Sequence, residues 1–264
     1  RVDHPHVTQT LRIKAIKAHP APGEIYAEDI SVENVQDRRT RIREELEAAQ
    51  KKAKSIRKKP LLRELPSYWN DYKGGRYKHE YEVDTGLSAE ELKEITARLT
   101  TYPADFHIHP KVKKLLEQRA EMGAGKRLVD YGMAEALALG SLVKAGVPVR
   151  LTGQDTRRGT FNQRHSVLLD IENEQEYVPL ENIAEGQARC QIYNSSLSEA
   201  GVLGFEYGYS RDYPETLVMW EAQFGDFANV AQAVIDQFIS AGEDKWGLLS
   251  GVVLLLPHGH ARQV

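Results

Sequence analysis

The sequence predicts an α/β fold, a parallel sheet flanked by helices and preceded by a mainly helical, charged region. Three observations support this. From about Arg127 to Leu256, helical patterns alternate with short apolar runs of strand length, as in a parallel sheet covered by helices. The 264 residues are 41% hydrophobic and 28% charged, an ordinary globular balance with enough chain to bury a sizeable core. Helix formers fill Glu33 to Lys59 without Gly or Pro, and Val35, Ile42, Leu46 and Ile56 give only a thin apolar stripe.

The elements follow in three zones. Residues 1–66 end in a long solvated helix that packs by one narrow face, with a basic end at Arg57-Lys58-Lys59. Interleaved acids cancel much of that basic field, so a solvated helix face is favoured over an anion-binding surface. Residues 67–126 read as a connector. Lys73-Gly74-Gly75-Arg76 is a turn, and Ser88-Ala89-Glu90-Glu91 is a capping box opening a helix to about Thr100. Tyr102-Pro103 stops that helix, and a second spans about Val112 to Met122. In residues 127–264, Met133 to Lys144 is helical and closed by Gly146, and Val147 to Leu151 is a strand. Leu197 to Tyr209 is a helix, Thr216 to Trp220 a strand, Phe227 to Ile239 an amphipathic helix closed near Gly242, and Gly251 to Leu256 a buried strand. Ligand sites of such sheets gather at the carboxyl ends of the strands, so attention falls on the loops after Leu151, Trp220 and Leu256.

Several classes are excluded. A net charge of −3 argues against a general nucleic-acid surface, and the longest apolar run, Val252 to Leu256, is too short to span a membrane. The single cysteine, Cys190, excludes an internal disulfide and fits a reducing compartment. Gly123-Ala124-Gly125-Lys126 is not a phosphate loop, because Ala120 stands where a glycine is needed and Arg127 where a magnesium-binding hydroxyl is needed. His107 and His109, like His4 and His6, have alternate spacing without a third ligand, and structural histidines are the better reading.

Three segments carry candidate chemistry. Thr152 to His165 concentrates arginine, histidine and amide groups beside two glycines: an arginine fork for an anion with His165 as donor, or a polar connection fixed by internal hydrogen bonds. Glu199 opens a helix after Asn194-Ser195-Ser196-Leu197-Ser198, where a first-turn acid also suits the helix dipole. Trp220 to Asn229 crosses from strand to helix with Phe224 and Phe227, consistent with core packing or with a pocket for a flat ring.

These segments resemble the thiamine diphosphate-dependent decarboxylase component of 2-oxoglutarate dehydrogenase. The matching runs are Gly153-Gln154-Asp155-Thr156-Arg157-Arg158-Gly159-Thr160-Phe161 with Arg164-His165; Leu197-Ser198-Glu199 with Gly204-Phe205-Glu206-Tyr207-Gly208; and Trp220-Glu221-Ala222-Gln223-Phe224-Gly225-Asp226-Phe227-Ala228-Asn229. Val234 to Ile239, Leu255-Leu256-Pro257-His258-Gly259 and the earlier Val7-Thr8-Gln9, Lys14 to Pro20 and Asp130 to Ala136 continue the likeness over nearly the whole chain.

The resemblance implies that residues 127–264 form an aminopyrimidine-binding domain of transketolase-like fold, incomplete at its C-terminus. It also implies that residues 1–66 are the tail of a pyrophosphate-binding domain with its charged helix. It implies a thiamine diphosphate site shared across a homodimer, with Mg2+ ligands outside this chain, and a lipoyl-bearing succinyltransferase as partner, with no nucleic acid or membrane. Glu199 takes the position of the catalytic glutamate beside the pyrimidine, where a carboxyl group promotes the tautomer able to abstract a proton. Leu197, Gln223 and Phe227 match positions that line or contact the cofactor, while Arg157, Arg158 and His165 receive no role.

The upstream pyrophosphate motif lies outside Arg1–Val264, and His260-Ala261-Arg262-Gln263-Val264 departs from the family's glycine-rich continuation. With Arg1 as its first residue, the chain reads as a piece of a longer enzyme, inactive alone, from the cytoplasm of a bacterium or the mitochondrial matrix of a eukaryote. A non-catalytic assembly module, or a decarboxylase of another 2-oxo acid, are the alternatives.

Overall fold

A computed structural model describes residues 18–20, 32–56 and 66–258. The chain divides into two compact units, Arg1–Leu61 and Leu62–Val264. The first contains helix α1 (Val32–Ser55), ending short of Lys59; Arg57-Lys58-Lys59 lie outside the described residues, as do His4, His6, Val7-Thr8-Gln9, residues 14–17 and the tail from Gly259. Ile42, Leu46 and Ile56 are exposed, so the expected packing stripe has no cover among the described residues.

The second unit holds a four-stranded sheet, all parallel, in the order β4-β1-β5-β6. Its strands are β1 (Val149–Gly153), β4 (Cys190–Asn194), β5 (Leu217–Glu221) and β6 (Val253–Leu255). A small antiparallel pair, β2 (Leu168–Leu169) with β3 (Glu176–Tyr177), lies in the excursion between β1 and β4. The parallel arrangement predicted from alternation is found. Strand β4 was not predicted, because its polar Gln191 and Asn194 break the apolar run.

Helices α2 (Ala89–Leu99), α3 (Pro110–Gly123) and α4 (Tyr131–Lys144) precede β1. The capping box of α2 is complete, with Ser88 and Glu91 exchanging side-chain and backbone hydrogen bonds, and the left-handed Gly146 follows the end of α4. Ile95, Leu99 and Met122 share one core with Met133, Leu137 and Val143 of α4 and with Val149, Leu151, Cys190, Ile192 and Met219 of the sheet. The opposite face carries Trp220 and Ala222 against Val202 and Leu203 of helix α5 (Glu199–Asp212). Helices therefore cover both faces, which leaves the carboxyl ends of the strands as the open edge where side chains can converge.

Two expectations need correction. Phe227 to Ile239 is not one amphipathic helix: Gly225–Ala231 is 3-10, Gln232–Val234 a single α turn and Ile235–Ile239 π-helical. Apolar periodicity over this stretch sets which side faces Trp220 but not how tightly the backbone winds. The last strand is shorter than Gly251–Leu256, and it is half-exposed at the sheet edge rather than buried. His107 and His109 have structural roles, as their residues suggested. His109 accepts from the Lys111 backbone N–H as the N-cap of α3, and His107 pairs with Asp170 at 3.2 Å. Among the described residues no group of three or more His, Cys, Asp or Glu could hold a metal ion, and no helix is long and apolar enough to cross a membrane.

Gly153 sits where β1 and β5 meet at the site edge. A Cβ there would lie 2.1 Å from the Glu221 carbonyl oxygen, backbone that cannot give way. Gly153→Ala is therefore expected to cost about 1–3 kcal/mol or more by overpacking, read from urea denaturation.

The candidate cofactor site at the carboxyl edge of the sheet

Each strand end delivers one component. After β4, Ser198 caps α5 by accepting the Gly201 backbone N–H, which fixes Glu199 in the first turn of the helix. Glu199 is 8% exposed, and its Oε1 accepts from Gln154 Nε2 at 3.1 Å. Gln154 is the first residue after β1. Its neighbour Asp155, held at φ 55°, accepts from Gln223 Nε2 at 3.3 Å, and Gln223 follows β5. Two consecutive loop residues thus tie Glu199 on one side and Gln223 on the other.

Phe227 stands half-buried against the second core, edge-to-face with Phe224 at 5.7 Å, and Phe224 meets Phe161 of the β1 loop in the same way at 5.9 Å. Leu197 is exposed at the rim, two residues before Glu199. All four sequence-predicted residues lie on the loops and helix start that follow β4 and β5.

The arginine-rich loop is a connection fixed from within, the second of the two readings its residues allowed. Arg164 is buried and bidentate to two carboxylates: Nη1 and Nη2 donate to Glu221 at 2.6 Å each, and Nε and Nη2 to Glu135 at 2.6 and 2.9 Å. Burial opposes its charge, yet the hydrogen bonds to Glu221 and Glu135 hold the guanidinium well above its ordinary pKa. Burial pushes the Glu221 carboxyl up, against the pull of Arg164. Arg119 of α3 donates to the carbonyls of Gln163 and Arg164, and Arg157 forks onto Glu176 while its backbone N–H donates to Asn194. Arg158 bonds Asn162 and faces Asp155 at 3.4 Å. These cations are committed to the protein's own acceptors.

His165 adopts φ 44°, and burial, reinforced by the Arg119 and Arg158 charges, lowers its pKa. A histidine held neutral in the fold contributes stability above its unfolded pKa of about 6.5, lost as pH falls because the unfolded chain binds the proton more tightly. His165→Asn, which tolerates left-handed backbone, should flatten the decline in thermal stability between about pH 7 and 5.

Sequence reasoning missed Arg119, Glu135 and Gln154. Arg119 was readable: it falls between Leu116 and Met122 on the buried face of α3, so a partnered buried cation was required. The lone Cys190 is buried, and burial pushes its thiol up to about 12, so it has no nucleophilic part to play.

Residues 127–264 match the family described as transketolase, pyrimidine binding domain, just over half of the chain. The chain belongs to the transketolase pyrimidine-binding family. Curated relatives agree along its whole length. The chain is 43% identical over 279 aligned positions to the 2-oxoglutarate dehydrogenase E1 component of Cupriavidus necator, 45% over 269 to that of Brucella anthropi, and 43% over 265 to that of Coxiella burnetii. These matches cover 98–99% of this chain but only 27–28% of each relative. In this pyrimidine-binding domain the family region begins at 127, although α2 and α3 before it contribute to the same core.

Proposed function

We propose that this chain supplies the aminopyrimidine half of a thiamine diphosphate site in a 2-oxoglutarate dehydrogenase, which decarboxylates 2-oxoglutarate and passes the succinyl group to the lipoyl arm of a succinyltransferase partner. The observation that carries this is the buried Glu199 carboxyl, held among the described residues by one oxygen only, at the carboxyl edge of a parallel sheet beside the half-buried ring of Phe227. The donor set fits the cofactor's pyrimidine end: a carboxyl for a ring nitrogen, an aromatic face at Phe227, an aliphatic rim at Leu197 and an amide at Gln223.

When bound, thiamine diphosphate would supply a nucleophilic ring carbon for the keto group and, in its thiazolium ring, a sink for the electron pair left behind as carbon dioxide departs. Glu199 would hold the ring nitrogen of the pyrimidine and exchange a proton with it, and Phe227 would offer an apolar wall that keeps water away. Mg2+ accompanies the pyrophosphate, with ligands outside this chain. We divide the protein into the tail of a pyrophosphate-binding domain (1–66), a connector (67–126) and the pyrimidine domain (127–264), and place the enzyme in the bacterial cytoplasm. A homodimer that closes the site is supported by the exposed Leu197, Tyr193, Phe205 and Tyr213, which leave apolar surface uncovered along α5 and the β4 edge.

The test is a chimera in which residues 127–258 replace the aligned segment of the Cupriavidus necator relative. With thiamine diphosphate and magnesium it is expected to reduce a dye in a 2-oxoglutarate-dependent way, whereas the 264-residue chain alone shows negligible turnover. A folded, dimeric chimera without activity, or substantial turnover by the isolated chain, overturns the reading.

A further inference from the structure

We infer that Gln154 is a positioning residue that decides which oxygen of Glu199 handles the proton. This rests on the proposed role of Glu199. The Glu199 carboxyl has two chemically equivalent oxygens until the fold distinguishes them. Gln154 Nε2 does so, donating to Oε1 at 3.1 Å, while Oε2 has no hydrogen-bond partner among the described residues. An oxygen that accepts an N–H is favoured as the carbonyl oxygen of a neutral carboxylic acid, because the carbonyl oxygen is a stronger acceptor than the hydroxyl oxygen. When a proton is exchanged with a ligand, Oε2, the oxygen left for that ligand, is therefore the one that carries it.

The position of Gln154 is itself fixed. It is attached to Gly153, whose close approach to the Glu221 carbonyl prevents the strand end from sliding, and to Asp155, which is tied to Gln223. An amide on so short a tether holds Oε1 with little freedom, so Oε2 is presented in one direction before any ligand arrives. The proton that leaves Oε2 moves to the acceptor nitrogen, and the same oxygen receives it back, with no other group required to balance the transfer.

The experiment uses the full 264-residue chain without cofactor, labelled with 13C at glutamate side-chain carboxyls. The Glu199 resonance is assigned by its loss in Glu199→Gln. Gln154→Met, which keeps the volume and removes the donor, is expected to move that resonance. Gln154→Asn, which keeps the amide but is one methylene too short, is expected to move it the same way. Placed in the chimera, both should lower kcat about tenfold with KM for 2-oxoglutarate little changed, the pattern of a lost transition-state interaction. An unmoved resonance in either folded variant, or undiminished kcat, overturns the inference. If Glu199→Gln leaves the chimera active, the reading of Glu199 itself has failed instead.

Discussion

Glu199→Gln in the chimera lowers kcat for 2-oxoglutarate-dependent dye reduction by about 10²–10⁴, the usual contribution of a positioned acid–base group. The amide has nearly the same volume as the carboxyl, and its oxygen can still accept from Gln154, so the fold at the start of α5 is preserved. What it lacks is a proton that can be given up and regained. Glu199→Asp keeps the acid but withdraws it by one methylene from a site fixed by the Ser198 cap, and should fall between the two. Melting temperature measured alongside separates chemistry from folding. A Glu199→Gln chimera that retains activity within about twofold leaves this carboxyl as a first-turn acid suited to the helix dipole and nothing more.

The second large effect is on stability. Arg164→Met is expected to cost about 3–5 kcal/mol, because it leaves the buried Glu221 carboxylate, and the part-buried Glu135 beside it, without their shared cation. The deficit should shrink on acidification: burial already pushes the Glu221 carboxyl up, and without the guanidinium that opposes this it binds a proton more readily in the folded state than in the unfolded one, so protonation favours folding. Replacing Glu135 and Glu221 by Leu alongside Arg164→Met should recover much of the loss, since a buried ion triad and a well-packed apolar cluster are often near equal. Urea midpoints at pH 7 and pH 5 measure both claims, and an Arg164→Met chain of parent stability would show that the triad is not a structural tie.

The legible and illegible parts of this fold differ in physical origin. Apolar alternation revealed β1, β5 and the parallel arrangement, because a strand covered on both faces must be apolar along its length. Strand β4 escaped notice since it lies at the edge, where Gln191 and Asn194 reach solvent without penalty. The capping box at Ser88 and the stop at Gly146 were readable as local backbone chemistry. The winding of residues 225–239 was not, because packing against Trp220 determines it. Glu199 could be picked out by resemblance, but its partner could not: Gln154 is 45 residues earlier, and only the parallel pairing of β1 with β4 brings the two loops together. Glu206, on the buried face of α5, went unread for the same reason: its partner Arg150, at 2.8 Å, stands 56 residues earlier on β1.

The burial of Cys190 has a practical corollary. With its sulfur sealed beneath the sheet and its proton firmly held, this protein behaves toward thiol reagents as though it had no cysteine at all. A single cysteine introduced at the exposed Ser196 would then be the sole labelling point, three residues from Glu199 on the rim of the site. A fluorophore placed there would signal the arrival of a partner subunit or a cofactor in an otherwise native chain, with no need to remove a residue from the core first.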